Sequence, residues 1–302
     1  ETEKLMRDRE TIFQATLSDG KCLVRVDVLS FDVDLDAWVI GEVKGSTSKE
    51  VKREVHYADA CFQKIVLERF GVRVGRVNLI ELNKEFRKEG DIVPSMLLKS
   101  TDITEKMEEM RNDTEIQIAD ALKTLSQDHE PRTCNCVYKS RNNHCESFAY
   151  SHPEVPEAGA VQDICLIGNS PKRLAGLVDD GHVKIKDVPW EFELSPLQKN
   201  HVHTVKSGEP CLQHEEIGKL LTKLEYPLYF LDYETFPSAV PIFDGCYPYQ
   251  QVAFQYSLHV QQEPGGNLEH YAFLHQTTDT PLPALAASLA EVIGETGSVV
   301  VW

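Results

Sequence analysis

Near its start the chain alternates apolar and polar residues in short runs. TIFQATL and KCLVRVDVLSFD flank Ser18-Asp19-Gly20, a turn signal that predicts a β-hairpin, and DAWVIGEVKGS supplies a third strand after a short acidic turn. The period then changes. In REVHYADACFQKIVLERFG, apolar Val55, Ala58, Phe62, Ile65 and Val66 recur at helical spacing, and Gly71 is placed to end the helix. VRVGRVNLIELN returns to strand. A second helix is expected from Asp102, with Glu105 completing a capping-box pattern and Met107, Met110, Thr114, Ile118, Ala121, Leu122 and Leu125 along one side. Strands followed by a helix and a further strand make an α/β core.

SHPEVPEAGAV reads as a linker or an extended crossing segment, and short helical pieces are expected over residues 170–225. YPLYFLDYETF opens a second α/β pattern, with strands over 249–260 and 268–274, a helix over 281–294 and the strand GSVVVW. No internal repeat interrupts this order. The expected organisation is a first domain over 1–150, a helical connecting module over 151–225 and a further domain over 226–302. The chain opens without methionine inside an apparent helix and stops inside a strand-like run, so it reads as a piece of a longer protein.

Composition narrows the class. With 41% hydrophobic and 26% charged residues the 302-residue chain resembles ordinary globular proteins, and no apolar run approaches the roughly 20 residues that cross a bilayer. No signal peptide opens it, which predicts a cytoplasmic protein without a membrane partner. Eight cysteines would then be reduced, so a close cluster among them points to a metal or a reactive thiol before a disulfide. A net charge of -17 and a pI near 5.1 argue against polyanion binding through a general basic field. Carboxylates that hold cations count as negative in such a tally yet are neutralised in a working site.

Three constellations carry candidate chemistry. In LVRVDVL, Asp27 is expected on the strand face of Leu23, Arg25 and Leu29, where an unpartnered carboxylate is costly. Glu42 and Lys44, two apart, share a face beyond Trp38 and Ile40. On adjacent strand ends, the two acids would hold Mg²⁺ or Mn²⁺ and the ammonium would stabilise developing charge on a phosphodiester. A buried ion-pair network is the plain alternative. Asp27, the hairpin and Glu42-x-Lys44 resemble the signature of the PD-(D/E)XK nuclease superfamily, whose RecB-like members carry a glutamine on the next helix, where Gln63 stands. That resemblance implies catalytic roles for Asp27, Glu42, Lys44 and Gln63. Lys49, Lys52 and Arg53, just before that helix, would either meet phosphates or be plain solvated charges of a surface helix.

The second constellation is TCNCVYKSRNNHCESFAY, with Cys134, Cys136 and Cys145 within twelve residues. Thiolates so close suit zinc or an iron–sulfur cluster, each usually asking for four ligands. His144 or His129 would complete a zinc site, and a cysteine upstream of the chain would complete a cluster. Some RecB-like nucleases are similar here, and that resemblance implies a 4Fe-4S cluster, although the Cys-x-Cys spacing is tighter than the usual pattern. Cys22, Cys61, Cys165, Cys211 and Cys246 stand apart, as small core or surface residues.

The third is the alternating strand LYFLDYETF, which sets Tyr229, Leu231 and Tyr233 on one face and Phe230, Asp232 and Glu234 on the other. Asp232-x-Glu234 resembles the first motif of DnaQ-like, DEDD-type exonucleases of the ribonuclease H-like fold, where both acids bind metal. LYFLDYETFPSAVPIFDGCYPYQQVAFQYSLHV resembles the hallmark stretch of domain of unknown function 2779, whose members join a RecB-like to a DnaQ-like region. Tyr249, Gln250, Gln251, Phe254, Gln255 and His259 would either shape a nucleic-acid groove or pack one strand face. The resemblances imply a PD-(D/E)XK core followed by a partial ribonuclease H-like domain. They also imply a metal-dependent nuclease acting on DNA, and RNA would suit the same chemistry because phosphodiester hydrolysis does not itself distinguish sugars. The alternative is a non-catalytic nucleic-acid-binding scaffold with a structural metal or iron–sulfur site.

Overall fold

A computed structural model describes residues 1–45, 50–129 and 134–301, with the side chains of 50–53 outside the described set. Lys49 therefore lies outside the described residues, as do the side chains of Lys52 and Arg53. The elements run α1 (Thr2–Arg7), β1 (Ile12–Ser18), β2 (Leu23–Asp32), β3 (Ala37–Lys44), α2 (Glu50–Phe70), β4 (Val74–Leu82), α3 (Pro94–Leu97), β5 (Leu98–Asp102) and α4 (Thr104–Leu125). The β1–β2 turn forms because Asp19 Oδ1 accepts the amides of Lys21 and Cys22 while Gly20 takes a φ of +90°. β1, β2 and β3 pair antiparallel, and the crossover through α2 makes β4 parallel to β3. β5 closes a mixed sheet in the order β1-β2-β3-β4-β5. Leu29, Ile40, Ile65, Leu67, Leu79 and Met107 are the large side chains buried to completion in its core.

The helical stripes are shorter than the pattern predicts. Ile65 and Val66 are buried and Ala58 and Phe62 half-buried, whereas Val55, a turn earlier on α2, is exposed. On α4, Met107, Thr114 and Ile118 are buried, but Ala121 and Leu125 near its end are exposed. Asp102 ends β5 instead of capping α4. Ile103 takes the cap position, and Asp102 Oδ1 accepts from the amide and hydroxyl of Thr104.

A second mixed sheet is built from β6 (Leu228–Pro237), β7 (Gln251–Gln261), β8 (Leu268–Leu274) and β9 (Ser298–Val301), in the strand order β8-β7-β6-β9. α9 (Leu282–Val292) is the crossover that makes β9 parallel to β6. Tyr229, Tyr256, Leu258 and Val260 bury the inner face against Leu285. Residues 1–126 and 224–302 cluster into one compact unit. The other, 127–223, holds α5 (Phe148–Ser151), α6 (Pro171–Asp179), α7 (Pro196–Ser207) and α8 (His214–Leu221) with short 3-10 turns, around a core of Val161, Ile167, Leu174 and Leu177. Among the described residues, no helix is long and apolar enough to cross a membrane.

Candidate active site

β2 and β3 pair from Asp32↔Ala37 as far as Val28↔Gly41. Just past that last pair come Asp27 and Glu42. The Asp27 carboxylate reaches across to β3, where Oδ2 accepts the Val43 amide at 2.8 Å, and Oδ1 accepts from Gln14 Nε2 at 2.9 Å. Gln14 on β1 holds a left-handed φ of +55°, an uncommon conformation outside glycine that concentrates at functional sites. The inward alternation of β2 also slips here, since Val24 and Val26 are buried and then Leu29. Asp27 therefore does not share one environment with Leu23 and Leu29, as strict alternation predicts. Leu23 is 62% exposed and Leu29 is fully buried.

Glu42 follows Trp38 and Ile40 on the face covered by α2 and is 3% exposed. Its Oε2 accepts from Gln63 Nε2 at 2.7 Å, and its Oε1 pairs with the Lys44 ammonium. Lys44 Nζ also meets Asp59 Oδ2 at 3.0 Å, and Gln63 Nε2 lies 3.3 Å from Asp59 Oδ1. Asp59 and Gln63, four apart on α2, present one helical face to the end of β3. Gln63 Oε1 is buried and has no hydrogen-bond partner among the described residues. Such an orphan costs free energy unless something meets it.

Burial pushes the Glu42 carboxyl above its ordinary value, outweighing the bonds from Lys44 and Gln63. Burial acts upward on Asp59 too, but there the bonds from Lys44 and Gln63 win and the carboxyl lies below the usual range. For Lys44, burial acts downward and is overcome by Glu42 and Asp59, so the ammonium is held above its usual value. The result is one ammonium shared between an acid that resists ionisation and one that favours it. Asp27 and Glu42 bring hard oxygen donors to neighbouring strands, a donor set suited to Mg²⁺ or Mn²⁺. Sequence reasoning missed Gln14 and Asp59. Asp59 was findable as the residue one turn before Gln63, whereas Gln14 carries no local signal.

In the 127–223 unit, the sulfurs of Cys134, Cys136 and Cys145 lie within 4.8 Å of one another, an arrangement that could hold a metal ion. Cys134 Sγ is 3.4 Å from Cys145 Sγ and accepts the Cys136 amide. Hydrogen bonds from Cys134 and Cys145 lower the Cys136 thiol, while the Cys134 thiol is raised: the Cys136 amide acts downward on it, but its thiol contacts with Cys136 and Cys145 outweigh that. Neither His129 nor His144 joins the group among the described residues. The His144 ring stacks on Phe148 at 3.6 Å and its Nε2 meets the Lys139 carbonyl. His152 Nε2 meets the Cys134 carbonyl at 2.6 Å, bracing the segment from behind.

On the second sheet, Asp232 and Glu234 share the outer face of β6 with Phe230, and all three are exposed. Among the described residues β9 pairs with β6 over Leu228–Leu231, and the two acids follow on β6. Across the ladder Asp232 faces Ser257 and Glu234 faces Gln255. His259 stacks on His270 at 4.5 Å, and Ser257 Oγ meets His270 Nε2 at 3.0 Å. Phe254 falls at a register shift and packs against Phe236 at 5.9 Å, a strand-packing role. The Tyr249 hydroxyl donates to the Gly45 carbonyl, immediately after Lys44.

Residues 229–302 match the model of a family described as Domain of unknown function (DUF2779). No curated protein and no solved structure matches the chain.

Proposed function

We propose that the chain is a metal-dependent nuclease whose first site, Asp27, Glu42, Lys44 and Gln63, hydrolyses phosphodiester bonds of nucleic acid. The observation that carries this reading is the buried Glu42 carboxylate, braced by Lys44 and Gln63, on a strand whose next residue, Val43, gives its amide to the Asp27 carboxylate of β2. A structural ion pair has no need of the second acid or of the orphaned Gln63 oxygen. A divalent cation fits both, because it offsets the cost of ionising a buried carboxyl and offers a partner to a lone oxygen.

Asp27 and Glu42 would hold that cation, which when bound supplies a Lewis acid and acidifies water. Lys44, kept charged by Asp59, sets positive charge beside the phosphoryl oxygens of the substrate. Gln63 fixes the rotation of the Glu42 carboxylate. The RecB-like resemblance puts DNA ahead of RNA. A PD-(D/E)XK core over the first sheet and a partial ribonuclease H-like domain over the second accommodate these roles, with Asp232 and Glu234 as two ligands of a second metal site.

For the cysteines, the sulfur spacing favours a single tetrahedral ion. Zinc–sulfur bonds of about 2.3 Å put sulfurs about 3.8 Å apart, within the range seen here. A 4Fe-4S cluster takes each thiolate on a different iron and spreads them around a larger body. Zinc on Cys134, Cys136 and Cys145 would pin the start of the 127–223 unit. Calorimetric titration with Mn²⁺ tests the first site. Saturable binding lost in Glu42→Ala supports it, and binding equal in both proteins discards it in favour of a scaffold.

A further inference from the structure

We propose that Tyr249, in the segment between β6 and β7, is a positioning residue of the first site, so that this segment supports that site from a distant part of the chain. The inference rests on the reading of Asp27, Glu42 and Lys44 given above. Its observation is independent of them. The Tyr249 hydroxyl donates to the carbonyl of Gly45, the residue that follows Lys44, so a side chain 204 positions away ties down the end of β3. β3 needs such a tie. Its ladder with β4 ends at Lys44↔Glu81, and its ladder with β2 ends earlier, at Gly41. Among the described residues, the Lys44 backbone pairs with β4, and on the β2 side the Asp27 carboxylate reaches the Val43 amide.

Tyr249 is itself held in place rather than resting there by chance. It adopts a left-handed φ of +61°, an outlier for an aromatic residue, which persists only where the surroundings over-determine it. Those surroundings are the segment between β6 and β7. The Tyr249 amide donates to Ser238 O at 2.7 Å, and the segment exchanges two backbone bonds with Lys88, Gly245 N to Lys88 O at 2.8 Å and Lys88 N to Cys246 O at 3.0 Å. Asp244 accepts from Lys88 Nζ at 2.5 Å and from the Gly90 amide at 3.1 Å. Arg87 stacks over the Tyr247 ring at 4.4 Å, and Ala239 packs on the cluster of Leu82, Phe86 and Leu97. Charge, backbone and apolar contacts together clamp this segment to the loop after β4, and the clamp sets the Tyr249 hydroxyl on β3.

The consequence is geometric. Lys44 must keep its ammonium between Glu42 and the substrate, and displacement by about 1 Å of a group in such a site is costly in rate. Tyr249 acts through Gly45 and the Lys44 backbone and does not touch the reacting atoms.

The test uses the full chain with Tyr249→Phe, which keeps the ring and removes the hydroxyl, Asp244→Asn, which loosens the clamp, and Tyr271→Phe on β8 as a control. Two quantities are read, the amide exchange of Val43, Lys44 and Gly45, and the kcat and KM of Mn²⁺-dependent DNA cleavage. Tyr249→Phe is expected to speed exchange at those three amides by about fivefold and to lower kcat by a similar factor with KM held, as for one lost hydrogen bond. Asp244→Asn should shift both in the same direction, and Tyr271→Phe neither. Unchanged exchange in Tyr249→Phe overturns the inference whatever the activity. Faster exchange with unchanged kcat in an active protein overturns the positioning role and leaves the reading of the site standing. A wild-type chain that neither binds Mn²⁺ nor cleaves overturns the reading, and the role with it.

Discussion

Replacing Glu42 by glutamine should stabilise the protein while disabling it. The carboxylate is 3% exposed, and removing an ion from water to that degree costs several kcal/mol even after relaxation. Against this, the pair with Lys44, whose side chain is 22% exposed, returns about 1 kcal/mol and the charge-assisted bond from Gln63 about 1.5–3 kcal/mol. The direction of the Glu42 shift shows that burial wins. Glutamine keeps the shape and one acceptor, and Asp59 remains to pair Lys44 at 3.0 Å. The expected gain for Glu42→Gln at pH 7 is about 1 kcal/mol, or about 2–4 °C in Tm for a unit of this size.

The pH dependence follows from the raised folded-state value. The folded protein holds the Glu42 proton to a higher pH than the unfolded chain, whose value is near 4.5. Stability contributed by the protonated form is full below 4.5 and is lost as pH rises through the folded value. The advantage of Glu42→Gln should therefore be greatest at neutral pH and shrink toward zero near pH 4.5. Thermal unfolding of both proteins from pH 4.5 to 8, without divalent metal, measures it. A variant less stable at pH 7, or an advantage constant across the range, would refute this reasoning. Adding Mn²⁺ should reverse the order, since a ligand at 100 times its Kd adds about 2.7 kcal/mol to the protein that binds it.

Three other outcomes are expected. Asp59→Asn removes one of the two carboxylates that hold the Lys44 ammonium charged, so the alkaline limb of the cleavage pH profile should move to lower pH, read from kcat between pH 7 and 10. Cys134→Ser should lower bound zinc, measured by elemental analysis, whereas Cys165→Ser, an exposed and isolated thiol, should leave it unchanged. Asp232→Ala, at an exposed position, should shift unfolding by no more than about 0.5 kcal/mol while weakening metal binding at the second sheet, read by Mn²⁺ titration in a Glu42→Ala background.

Much of the strand framework was legible because period-two alternation and an Asp-Gly turn report directly on local structure. β1 to β4, β6 to β9 and the crossover helices all follow such patterns. What stayed hidden depends on tertiary context. Val55 and Leu125 fit helical stripes, yet only packing decides how far along α2 and α4 the burial extends. α3 and β5 lie in a charged stretch with no clear period. Glu42 and Lys44 were found by spacing and Gln63 through the family resemblance, and in the structure Lys44 and Gln63 both contact Glu42. Gln14 was not readable as a site residue, and Tyr249 was read as a groove or packing residue rather than a support of β3, because these contacts arise from backbone distortions and span 13 and 204 positions of sequence.

The most direct measurement is cleavage of end-labelled single- and double-stranded DNA and RNA by the full chain in Mn²⁺, Mg²⁺ or EDTA, beside Glu42→Ala and Asp232→Ala. Cutting that requires metal, is lost in Glu42→Ala and survives in Asp232→Ala is the expected result. Cutting that persists in Glu42→Ala, or nucleic-acid binding with no cutting under any metal, would contradict a hydrolytic site at Asp27, Glu42 and Lys44.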